Sequence, residues 1–109
     1  MLEARRQHDS CSQGDYVYVS CGHSWNEQLR NFERLNLKAF LAGQAVSWEQ
    51  VPVDGLMRLL PRTDHVMVTL SEREILILGG EKSGKIGDGY ILQTVPVPKK
   101  KINMKLFGL

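Results

Sequence analysis

The chain predicts an all-β fold, and three observations carry that prediction. Two segments alternate their side chains with a period of two. Each reads as strand, turn, strand and stops at a glycine-containing doublet. The two segments also resemble one another, so the chain contains an internal repeat. With 109 residues, 42% of them hydrophobic and 24% charged, there is enough apolar material for a modest core rather than a disordered chain.

The first hairpin runs from His8 to Gly22. Tyr16, Tyr18 and Ser20 alternate with Val17, Val19 and Cys21, and this aromatic and β-branched content favours a strand. Gln13-Gly14-Asp15 is the predicted turn, because Gly14 tolerates a positive φ. That placement puts Cys11 about opposite Tyr16. Residues 26–42 fit two descriptions. Leu29, Phe32, Leu37, Phe40 and Leu41 approximate a helical face, capped by Asn26 and Gly43, whereas residues 31–37 alternate as a strand does. The alternation predicts a strand over 31–37 followed by a helical turn over 38–42.

A short strand is expected over Val46–Val53, which contains Trp48 and ends near Pro52, with Asp54-Gly55 as the following turn. The second hairpin runs from His65 to Gly80, through HVMVTL, the turn SERE and ILILGG. The continuous apolar run Ile75–Leu78 suits a strand buried on both faces. The stretch GYILQTV (89–95) is apolar again.

Overlaying the halves pairs Arg6-Gln7-His8 with Arg62-Thr63-Asp64-His65, and Tyr16–Val19 with Ile75–Leu78. It also pairs Cys21-Gly22 with Gly79-Gly80, and Phe32 with Tyr90. This pattern resembles the kelch repeat, in which Arg and His precede an apolar strand ending in Gly-Gly, with a Tyr and then a Trp further on. The resemblance covers roughly residues 5–95 and is densest in PRTDHVMVTLSEREILILGGEKSGKIGDGYILQT. The first unit departs from it at Cys21 and Phe32, and the second has no Trp matching Trp48.

The resemblance implies two four-stranded propeller blades, residues 1–55 and 56–98, with 99–109 as a basic tail or last strand. It gives Arg62, His65, Gly79, Gly80, Tyr90 and Trp48 roles in building the blades. Arg62 would reach carbonyls or carboxylates at a blade edge. Tyr90 and Trp48 would pack between blades. It also implies a scaffold for protein interaction, without catalysis. Its partner-binding loops would be 23–30 and 81–88, with Trp25, Asn26, Glu27, Glu81, Lys82 and Lys85 at the contact. Trp25 has two readings, an exposed anchor or a side chain packed on the next blade. Two blades fall short of a closed propeller, so remaining blades or a homo-oligomer are expected to complete it.

Other chemistries leave weaker traces. Gly79-Gly80-Glu81-Lys82-Ser83-Gly84-Lys85 matches G-x-x-x-x-G-K, the first part of a phosphate-binding loop. Ile86 stands where that motif needs Ser or Thr, and the following glycines cannot start a helix. A nucleotide binder using this loop is the alternative function, and a structural subunit of a large assembly is another. His8, Cys11, Cys21 and His23 are zinc-type ligands, but His8 and Cys11 fall on opposite faces of one strand. No metal and no cofactor are expected.

The chain carries 14 basic and 12 acidic residues, a net charge of +2. Lys99, Lys100, Lys101 and Lys105 gather in the last segment, which has no acid, so no basic face for nucleic acid is expected. No apolar run of about 18 residues occurs, which predicts no membrane span. The polar start MLEARRQHDS has no secretory apolar region, and a cytoplasmic location is expected.

Overall fold

Alternating side chains give strands throughout. The structure, a computed structural model, describes residues 5–25, 27–54, 59, 61–95 and 103–108. The first sheet contains β1 (Asp9–Gln13), β2 (Tyr16–Ser20), β3 (Phe32–Asn36) and β4 (Glu49–Val51), antiparallel and in that order. One helical turn, α1 (Leu37–Leu41), follows β3, and the Asn36 side chain caps it by accepting from the Ala39 amide at 2.9 Å. Alternation therefore wins over helical periodicity at 31–37, because β3 has β2 and β4 to pair with on both sides.

The expected strand over Val46–Val53 is corrected to two shorter ones. Pro52 has no N–H to continue a ladder. β4 stops at Val51, and β5 (Val53–Asp54) belongs to the other sheet. That second sheet has an antiparallel body, β6 (Val66–Ser71), β7 (Glu74–Leu78) and β8 (Gly89–Val95). β9 (Asn103–Gly108) pairs antiparallel with β8, and β5 pairs parallel with β9. Lys99 to Lys101 lie outside the described residues. Among the described residues the two sheets do not close into a barrel, and α1 is the one helix.

The first turn is tighter than expected. Gln13 pairs with Tyr16, so Gly14 and Asp15 alone make the loop, with Gly14 at φ 59°. Cys11 consequently lies opposite Tyr18 rather than Tyr16. The second hairpin carries an irregular register between Thr69 and Ser71, one residue longer on the β6 side.

The core lies between the two sheets. Tyr18, Cys21, Phe32 and Val51 come from the first sheet, and Met67, Ile75, Ile77 and Leu92 from the second. Leu59 is buried with them. Polar contacts close the seam along β1 and β6. Asp9 Oδ2 accepts from the Met67 amide at 2.8 Å, and the Gln13 side-chain amide donates to the Ser71 carbonyl at 3.0 Å.

Register also corrects the overlay of the two halves. The Arg6 amide donates to the His23 carbonyl, just as the Thr63 amide donates to that of Glu81. The Cys21 amide donates to Asn31, and the Gly79 amide to Asp88. Arg6 therefore matches Thr63, and the residue before it, Arg5, matches Arg62. Val17 matches Ile75, and Glu33 matches Tyr90. Each of these shifts is one residue, and one residue in a strand exchanges the faces.

Candidate functional site

Both glycine-containing doublets sit where β2 and β7 leave their sheets. Cys21 and Gly22 have φ of 58° and 91°, and Gly79 and Gly80 have 67° and 104°. This left-handed backbone turns the chain back alongside the segment before each hairpin. A Cβ on Gly22 would lie 2.6 Å from the Arg6 carbonyl, and one on Gly80 would lie 2.7 Å from that of Thr63. The two units thus have the same close approach at the same place.

An arginine holds each reversal. Arg5 Nη1 donates to the Cys21 carbonyl at 3.1 Å, and Arg62 Nη1 donates to that of Gly79 at 3.0 Å. Arg5 also pairs with the buried carboxylate of Glu33. Arg62, itself buried, reaches Asp88 with both nitrogens, at 2.6 and 3.2 Å, and stacks 5.5 Å over Tyr90. The guanidinium holds the Asp88 carboxyl below its ordinary range. Arg62 thus meets both a carbonyl and a carboxylate. The sequence also held the clue to Arg5: counting back three residues from His8, as Arg62 stands three before His65, lands on Arg5.

Beyond the reversals, two loops lie side by side. The Gly22 amide donates to the Arg62 carbonyl at 2.8 Å, and the Arg62 amide donates to Leu29 at 3.3 Å. The Gln28 side chain bridges the gap, donating to the Glu81 carbonyl at 2.9 Å and to Thr63 Oγ1 at 3.4 Å. Neither Gln28 nor Arg5 carries a sequence signature of function. Their roles follow from the folded position of the loops.

Trp25 projects from the first loop with 98% of its surface exposed. Arg5, Arg6, His23 and Ser24 line a groove with it, of about 410 Å³. Glu27, Glu81, Lys82 and Lys85 are exposed on the two loops, and Asn26 lies outside the described residues. A second hollow, of about 460 Å³, is lined by Gln28, Arg30, Pro61 and Lys82 among others. Tyr90 packs partly buried against the core, while Trp48 is half-buried ahead of β4.

Four amides of the glycine-lysine segment are already engaged. Gly79 donates to Asp88, Glu81 to Thr63, Lys82 to Gly84 and Ile86 to Gly80. The chain then enters strand β8 rather than a helix. A phosphate-binding loop of this motif leads into a helix N-terminus, and here a strand stands in that place.

The two cysteines are free thiols. Cys11 is half-buried in β1, while burial pushes the Cys21 thiol up to about 11, which leaves it an unreactive core group. His65 is buried and neutral, with its pKa lowered to about 4 by burial. Among the described residues, no helix is long and apolar enough to cross a membrane. No protein-family model matches this chain, and no curated protein matches it either.

Proposed function

We propose that the chain is a protein-interaction scaffold of kelch-type blades, and that it binds its partner through the paired loops at 23–30 and 81–88. One observation carries this reading: repeat-equivalent loops are tied edge to edge by Gln28, and from them an indole projects almost entirely into solvent. Exposing a large apolar ring is unfavourable unless a partner covers it, and tryptophan is enriched at the centres of protein interfaces. Arg6 lines the groove beside it, and the two loops also carry Arg30, Lys82 and Lys85 with Glu27 and Glu81 of the opposite sign, the polar composition of an interface rim. The scaffold supplies rigidity, since arginines anchor both loop bases to their own reversals. The loops perform no catalysis in this reading.

Photocross-linking in cell extract tests it. A benzophenone amino acid replaces Lys82 in one variant and exposed Ser47, remote in sequence from both loops, in another. The expected result is a discrete protein adduct from position 82 only. Excess unlabelled chain should suppress it, and excess Trp25→Ala chain should not. Equal adducts from both positions, or full competition by the Trp25→Ala chain, would sink the reading.

A further inference from the structure

The backbone around Trp25 holds the indole outward. The Ser24 amide and hydroxyl both donate to the Glu27 carbonyl, at 2.9 and 3.3 Å, which closes a tight turn containing Trp25. Next to that turn, His23 pairs with Arg6 on one side and with Gln28 on the other, a short antiparallel ladder. The Gln28 side chain then ties this ladder to the neighbouring loop. At 98% exposure the indole rests on almost nothing in its own chain, so it is a protrusion rather than the floor of a cleft. The backbone that carries it is already ordered, which lowers the entropy lost when a partner covers the ring.

The base of the protrusion carries one sign of charge. The Arg6 amide donates to the His23 carbonyl at 2.9 Å, and the His23 amide donates to the Arg6 carbonyl at 2.7 Å. Residues that exchange both bonds stand directly opposite, with their side chains on one face. Arg6 and His23 accordingly line the groove beside Trp25 together. His23 Nδ1 donates to the Ser24 carbonyl, which leaves Nε2 for a partner. Arg5 already has its counter-ion in Glu33. Among the described residues, no carboxylate pairs with exposed Arg6, and none lines the groove.

We propose that Trp25 is a knob for a folded partner protein, one that presents an apolar pocket of indole size with a carboxylate on its rim. The indole fills the pocket, and Arg6 pairs with the carboxylate. Complementary charge at the rim orients the docking, while the desolvated ring supplies the affinity. The inference rests on the partner-binding reading above and names the partner's surface. An anionic lipid surface also accepts tryptophan and arginine. It fits less well here, because Ser24, Glu27 and Gln28 beside the indole are polar and the Glu27 carboxylate would be repelled.

Competition for the position-82 adduct tests the knob on the full chain. Millimolar N-acetyltryptophanamide should suppress the adduct, because a free indole occupies the same pocket, whereas N-acetylalaninamide should not. Arg6→Glu should weaken the adduct by about tenfold or more, and Arg6→Lys should retain most of it. Unfolding curves check that both variants fold as the wild type does. A Trp25-dependent adduct that ignores the free indole, or that Arg6→Glu leaves intact, overturns the knob and leaves the partner-binding reading standing. Absence of any Trp25-dependent adduct overturns both. Trp25-dependent cosedimentation with phosphatidylserine vesicles also overturns the knob, by assigning the indole to a lipid surface.

Discussion

Ser20 Oγ lies 3.0 Å from His65 Nε2, across the seam between the two sheets. Both side chains are buried, and Ser20 Oγ also lies 3.3 Å from Met67 Sδ. His65 stands at the repeat position of His8, yet the two have different surroundings. His8 is exposed, whereas His65 is enclosed because the first sheet covers the second unit. The histidine therefore reports on the stacking of the units.

Acid should unstack them. The folded pKa of His65 is near 4, below the ordinary 6.5, so the folded chain binds fewer protons between those values. Stability is full above the ordinary value and is lost as pH falls toward 4, by up to about 3 kcal/mol. Urea unfolding at stepped pH measures this slope, and His65→Asn should flatten it. Asp88 adds a separate loss at lower pH, since its depressed carboxyl must be protonated there.

Glycine substitutions should separate close approach from simple backbone preference. Gly22→Ala and Gly80→Ala each force a Cβ against a carbonyl, at 2.6 and 2.7 Å. Each should cost about 3 kcal/mol, combining left-handed backbone with a steric clash. Gly14 also has a positive φ but has nothing within 4 Å of its Cβ position. Gly14→Ala should cost only about 1 kcal/mol by thermal unfolding.

Loss of the arginines should expose the repeat equivalence. Arg62→Ala leaves the Gly79 carbonyl and Asp88 without that donor, and should destabilise by about 3 kcal/mol. Arg5→Ala should cost at least as much, because Glu33 is fully buried whereas the Asp88 side chain is 32% exposed. Arg6→Ala, at the exposed neighbouring position, should stay within about 0.5 kcal/mol.

Trp25→Ala should likewise leave the folded chain unchanged, within about 0.5 kcal/mol, since the indole is almost wholly in solvent. Partner adducts should fall while the unfolding midpoint holds.

Strand content was legible in the sequence because tyrosine and valine alternate in β2 and β-branched residues crowd β6 and β7. The doublets and the loops they launch were legible for the same local reason. Pairing of the halves was harder. Both hairpins turn on two residues, but the extra residue near Leu70 lengthens β6 alone, so the two units differ in spacing by one. The overlay by residue type aligned Tyr18 with Ile77, two core residues, and concealed that their units bury opposite faces. Arg5 was legible only through its spacing from His8, because adjacent Arg6 is chemically identical. Pro52 marks the crossover between sheets, a tertiary event that no strand periodicity announces.

The central claim is that the two units stack with opposite repeat faces in contact. Nuclear Overhauser spectra of the methyl-labelled chain test it most directly. The Tyr18 ring should show contacts to methyls of the Met67, Ile75 and Ile77 set and none to Val66 or Leu78. Contacts from Tyr18 to Val66 or Leu78 instead would contradict it.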